Sequence, residues 1–200
     1  MTAPKFAAVV EVRGQPSQFW LPLPVAPWPQ WVELSADTPQ EHIALVMQAI
    51  AQNPGRANIL SPEKVAHEDN LPALHGGIAV SHHARTINPS CCCFLNDWRE
   101  WTKMLNGDHS PWLGHDPSPW VERYQGNFYI WPDEYSDFDR RNTSTIRFNA
   151  NQLREATQRI QADLENFRIS LAAYLESCQI QEATAIARAF KKNYIDGDMV

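Results

Sequence analysis

The chain has 200 residues and a net charge of −6, with 44% hydrophobic and 20% charged residues; a chain of this size and balance buries a core without a disulfide or metal staple. The negative balance disfavours unaided binding to nucleic acid or to an anionic membrane surface, and no apolar run approaches the roughly 20 residues of a membrane span. Three of the four cysteines are contiguous (Cys91, Cys92, Cys93) and the fourth is Cys178, which is not the spacing of a disulfide framework.

The N-terminal segment Met1-Thr2-Ala3-Pro4-Lys5-Phe6 lacks the basic stretch and apolar core of a signal peptide. The expected compartment is therefore the cytoplasm. One domain is expected over residues 1–200, with a sheet-containing part to 148 and a helical part from 149. Lys5 to Arg13 is rich in valine and reads as a strand. Next comes a proline-dense stretch, Pro16, Pro22, Pro24, Pro27 and Pro29, interleaved with Phe19, Trp20, Trp28 and Trp31. Proline fixes φ and removes amide donors, so this stretch is extended and unsuited to a central strand. It could present a ligand to a partner domain or fold its tryptophans back over the core.

Thr38-Pro39-Gln40-Glu41 has the pattern of a capping box, with threonine as N-cap and glutamate at the third helical position. Ile43, Met47, Ile50 and Ala51 then follow helical spacing, and Asn53-Pro54-Gly55 ends a helix over about 39–52. Ile78 to Val80 suits a short strand after Gly76-Gly77. A second helix is predicted over 97–105, capped by Asn96, stopped by Asn106-Gly107, with Trp98, Trp101 and Leu105 on its apolar face. Trp120 to Trp131 predicts a hairpin around Gln125-Gly126-Asn127, and Thr143 to Phe148 a further strand. Asn149 caps a long helix whose apolar stripe is Leu153, Ile160, Leu164, Phe167, Leu171 and Tyr174. Cys178 falls on the same stripe and is expected to be a buried core cysteine. Ile180, Ala183, Ile186, Ala187 and Phe190 mark a last helix folding back on the first. These elements define an α+β class: a mainly antiparallel, twisted sheet packed by helices, with a long amphipathic helix near the C-terminus. Packing on the domain's own sheet is the commoner use of such a stripe, but an oligomer seam is the alternative, which keeps an oligomerising structural subunit in view.

The unusual chemistry lies between residues 82 and 120. His82-His83, the cysteine triplet, Trp98, Trp101, Trp112, Trp120 and the segment Leu113-Gly114-His115-Asp116-Pro117 all fall there. Metal binding by the histidines and cysteines requires four convergent ligands, and three adjacent cysteines cannot all face one ion without backbone distortion. No metal or cofactor is expected on this ground. A cysteine hydrolase or acyl-transfer enzyme would use Cys91, Cys92 or Cys93 near a helix N-terminus, with His115 as base and Asp116 or Asp133 to orient it. The plain structural reading buries the cysteines, lets His115 and Asp116 hold each other, and places the tryptophans in the core. No phosphate loop, nucleophile elbow, zinc-protease histidine pair or dinucleotide fingerprint is present.

The block Pro89-Ser90-Cys91-Cys92-Cys93-Phe94-Leu95-Asn96-Asp97-Trp98-Arg99-Glu100-Trp101, continued by Trp112 to Pro119 and Trp131-Pro132-Asp133, resembles one found in small uncharacterised bacterial proteins with a helical tail. These are similar in size and style to immunity proteins of contact-dependent growth inhibition and polymorphic toxin systems. The resemblance implies a non-catalytic toxin inhibitor, monomeric until it meets a cognate toxin domain, with a nuclease as the candidate class of toxin, and it transfers no catalytic residue. Such a protein occludes its target with charge and aromatic anchors. The expected contact surface is Asp133, Glu134, Asp137 and Asp139 beside Tyr129 and Trp131, facing a basic partner; a solvated acidic loop is the alternative for the same run.

Overall fold

In the computed structural model the described residues are 3–12, 19–24, 27, 29–52, 59–107, 109–133 and 145–196. The strands are β1 (Lys5–Glu11), β2 (Trp31–Glu33), β3 (Gly76–His82), β4 (Arg85–Ile87), β5 (Trp120–Tyr124), β6 (Asn127–Trp131) and β7 (Ile146–Asn149). The α-helices are α1 (Gln40–Ala51), α2 (Pro62–His67), α3 (Glu100–Leu105), α4 (Ala150–Ser177) and α5 (Ala183–Phe190); a 3-10 turn precedes α3 at Leu95–Arg99, and a π-turn follows α5 at Lys191–Asp196. The strands form a four-stranded sheet of order β2-β1-β3-β4 and a three-stranded sheet of order β5-β6-β7. The β3–β4, β5–β6 and β6–β7 pairs are antiparallel, so the α+β class read from the sequence is the observed one.

By internal packing the chain divides into two compact units, and the division falls within β1 and within α4. The first unit comprises residues 1–9 and 75–161. Its core is aromatic: the Phe6 ring meets Trp101 and Phe148 edge-on at 5.6 and 5.1 Å, and Phe128 stacks on Phe148 at 5.5 Å. Such pairs add about 0.5–1.5 kcal/mol each beyond their burial. The β5–β6 hairpin turns through Gln125 and Gly126, both at positive φ (48° and 74°), as the two-residue turn that matches strand twist requires. Asn149 and Gln152 cap α4 reciprocally, each side chain accepting the other's backbone N–H at 2.9 and 2.8 Å. That is a capping box.

The second unit comprises residues 10–74 and 162–200. Here α1 is buried from Ile43 through Gln48 as well as at Ile50 and Ala51, so it is a central helix rather than the one-sided helix that the three-four spacing predicts. Its N-terminus also differs. Pro39 is the N-cap, while the Thr38 hydroxyl turns back, accepting from the Ser35 N–H and donating to the Glu33 carbonyl, each at 2.9 Å. The same threonine pattern serves a preceding turn as well as a helix. The expected apolar stripe of α4 is buried as far as Tyr174, Phe167 meets Phe190 of α5 at 5.4 Å, and Cys178, at the end of the stripe, is only half-buried.

Several sequence expectations fall wholly or partly outside the described residues: Arg13 of the first strand, Pro16 and Trp28 of the proline-rich stretch, the helix stop Asn53-Pro54-Gly55, and Thr143 of the strand that begins at Ile146. No helix among the described residues is long and apolar enough to cross a membrane.

Candidate functional site

Residues 90–94 and 112–116, both in the first unit, are sewn together through their backbones. The Cys91 N–H donates to the His115 carbonyl at 3.2 Å and the His115 N–H to the Cys91 carbonyl at 3.0 Å. The Ser90 N–H donates to the Leu113 carbonyl at 2.7 Å, and its hydroxyl to the His115 carbonyl at 2.9 Å. Gly114 makes this close approach possible. Its φ is +92°, and a Cβ there would lie 2.5 Å from the Cys91 carbonyl oxygen, closer than real side chains come to backbone.

The cysteine triplet forms a turn closed by the Cys93 N–H donating to the Ser90 carbonyl at 3.3 Å. Cys92 occupies the third position with φ of 64°, where turns of this kind favour glycine. A residue with a Cβ costs about 1–2 kcal/mol there. The consequence is a separation of roles. Cys93 is buried, its thiol donating to the Trp112 carbonyl at 3.5 Å. Cys91 is half-buried and Cys92 exposed, and their sulfurs lie 3.3 Å apart on the same side. No disulfide joins any of the cysteines.

His115 completes the group. A sulfur of Cys91, a sulfur of Cys92 and a ring nitrogen of His115 all lie within 4.8 Å of one another. Its Nδ1 is 2.8 Å from the Asp116 carboxylate, itself 90% exposed. Asp116, and then the Cys92 thiol, hold the imidazole above its ordinary pKa. Trp112 overlooks the cluster. Its indole N–H donates to the Cys92 carbonyl at 2.8 Å, its backbone N–H donates to the Glu100 carboxylate at the start of α3, and its ring lies 6.3 Å from His115. Although its indole and its backbone are each held by a hydrogen bond, this residue is 47% exposed.

The other candidates read from the sequence fare differently. The His82 and His83 rings lie 4.1 Å apart, tilted by 49°, at the β3–β4 turn, and among the described residues the group with metal-ligand spacing contains neither. The expectation that the helix start lowers a thiol's pKa is reversed at Cys93: burial pushes that thiol far up, and Asp97 and Glu100 add to the effect. Asn96 lies inside the 3-10 turn, whose first orphan amide, that of Phe94, instead donates to the Asp97 carboxylate at 2.8 Å. Trp98 and Trp101 are core residues.

Within the expected acidic surface, Trp131 is wholly buried and stacked on Trp120 at 6.1 Å, which removes it as a contact residue. Tyr129 is half-buried with the Arg147 guanidinium 6.0 Å from its ring. The Asp133 carboxylate accepts from the Ser118 N–H at 3.4 Å, close to the His115-Asp116 loop. Glu134, Asp137 and Asp139 lie outside the described residues. The signal in the sequence that Trp112 differs from its neighbours is slight: prolines flank it at Pro111 and Pro117, and neither strand nor helix periodicity reaches it.

No protein-family model, curated protein or solved structure matches this chain. Function has to be argued from the site.

Proposed function

We propose that this protein is a non-catalytic, immunity-type inhibitor that binds a basic toxin domain through the 112–118 loop. The observation that carries the reading is Trp112: a large aromatic residue, 47% exposed, yet its indole is fixed by a hydrogen bond to Cys92 and its backbone by one to Glu100. An exposed tryptophan that loses little freedom on association is the kind of residue that dominates protein interfaces. Beside it stands the exposed Asp116 carboxylate, with Asp133 tied to the same loop through Ser118, and the chain as a whole carries −6. Both features suit a cationic partner. The resemblance of the 89–133 block to small immunity-like proteins supports the same reading. The expected target is a cognate toxin domain that is basic where it holds nucleic acid.

Affinity capture from the native cell, followed by binding measurements with the recovered toxin domain, tests this. The wild-type chain should form a one-to-one complex, and Trp112→Ala should weaken it by about thirtyfold or more, the effect of losing an anchor worth about 2 kcal/mol. A chain recovered alone from cells expressing the toxin, or a Trp112→Ala variant of unchanged affinity, sinks the proposal.

A second reading is favoured by one arrangement. Cys92, His115 and Asp116 stand in the order of nucleophile, base and orienting acid, as a cysteine hydrolase or acyl-transfer enzyme requires. Alkylation of the reduced protein at pH 7 separates the two. A single fast-reacting thiol at Cys92 supports catalysis, and slow, uniform modification of Cys91, Cys92 and Cys178 speaks against it.

A further inference from the structure

We infer that Cys91, Cys92 and His115 form a binding site for a thiophilic divalent cation of the zinc class. The sequence argument against such a site is that three adjacent cysteines cannot all face one ion without backbone distortion. In the structure two of the three suffice for the group, and the third turns away. The positive φ of Cys92 brings its sulfur round beside that of Cys91, 3.3 Å away, and leaves Cys93 facing the core. Two zinc–sulfur bonds of about 2.3 Å at a tetrahedral angle need the sulfurs to separate by only about half an ångström more. Cys92 is exposed, so no packed core opposes that adjustment.

The third ligand is prepared as well. Metal-bound histidines usually give one ring nitrogen to a carboxylate, which fixes the tautomer and turns the other nitrogen to the ion. His115 has the carboxylate partner, Asp116 at 2.8 Å from Nδ1, and a ring nitrogen of His115 lies within 4.8 Å of the sulfurs of Cys91 and Cys92. The paired backbone hydrogen bonds between Cys91 and His115 set the distance between the two segments. Three protein ligands in an exposed position leave a fourth for water or for a donor atom of a bound partner. Binding displaces a proton from each thiol that is protonated, so affinity rises with pH. The metal inference does not depend on the toxin-binding proposal, since neither Trp112 nor any acidic residue is a ligand, although both sites border the same loop.

Cobalt(II) is the probe, titrated into the reduced full-length protein and followed by absorption, with competing zinc as a second step. The expected result is one ion per chain, a sulfur-to-cobalt charge-transfer band with tetrahedral visible bands, and displacement by zinc. Cys91→Ser and Cys92→Ser should lose the charge-transfer band or most of it. Asp116→Ala should keep the band but weaken binding by about 10–100-fold. Cys92→Gly supplies the control for folding, because it removes the ligand while relieving the backbone; circular dichroism should show a folded chain that no longer takes up cobalt in this form. Cys178→Ser should bind as wild type. A reduced, folded protein without saturable cobalt uptake overturns the inference, and so does uptake that survives in Cys92→Gly.

Discussion

At the scale of single residues, the 90–94 and 112–116 segments depend on positions where the ordinary backbone is given up. Gly114 is the clearest. With φ of +92° and backbone atoms of Ser90 and Cys91 within 2.7 Å of any added Cβ, Gly114→Ala must push the two segments apart. The expected loss is about 2 kcal/mol or more, combining left-handed strain with the overlap. Thermal or urea denaturation measures it, and a change below 0.5 kcal/mol (roughly the size of a neutral surface substitution) would show that the segments are not held this closely. Cys92 is the opposite case. It bears a Cβ where glycine is favoured, and strain of that kind, once observed, is a reason to look for a use. Both the metal and the nucleophile readings supply one.

At the scale of elements, the long helix α4 shows how local chemistry sets boundaries. Its start is closed by the Asn149–Gln152 pair. Its end is a Schellman motif: the Ile180 N–H donates to the Leu175 carbonyl at 3.0 Å and the Gln179 N–H to the Glu176 carbonyl at 2.9 Å. The left-handed residue of the motif is Gln179, at φ 60°, where glycine is the usual occupant. Gln179→Gly should therefore stabilise the protein by about 0.5–1 kcal/mol, seen as a raised denaturation midpoint at unchanged slope. A loss of stability instead would mean that the glutamine side chain contributes more than its backbone costs. The periodic spacing of α4 was legible because six apolar residues recur over nearly its whole length. By contrast, α1 has four such residues in a helix of 12, and nothing in that spacing shows that its other faces are also covered.

For the whole molecule, charge decides what kind of partner the proposed surface suits. A chain of net −6 is attracted to a basic domain over distances of about a Debye length, roughly 8–10 Å at physiological salt. In the binding experiment on the Trp112 surface, raising the salt should therefore slow association, whereas Trp112→Ala should mainly speed dissociation. The two packing units are each held by their own aromatic and aliphatic cores. The first rests on Phe6, Trp101, Phe128 and Phe148; the second on α1 with Phe167, Phe190 and Tyr194, whose hydroxyl donates to the Pro72 carbonyl at 2.8 Å. Each unit is assembled from separated stretches of chain, an organisation that no linker composition announces.

What the sequence by itself determined is the set of features that follow from neighbours along the chain. The strand at Lys5, the hairpin at Gln125-Gly126, the cap at Asn149 and the stripe of α4 are all written in spacing and turn chemistry, because their energetics are local. Their sum was enough for the α+β class. Tertiary structure alone decided which tryptophan faces solvent, that Trp131 is core, and that Cys91 and Cys92 meet His115 while Cys93 does not. Those outcomes depend on contacts between separate elements of the chain and, for the cysteines, on the sign of a single φ at Cys92. A run of three identical side chains carries no information about which way each will point.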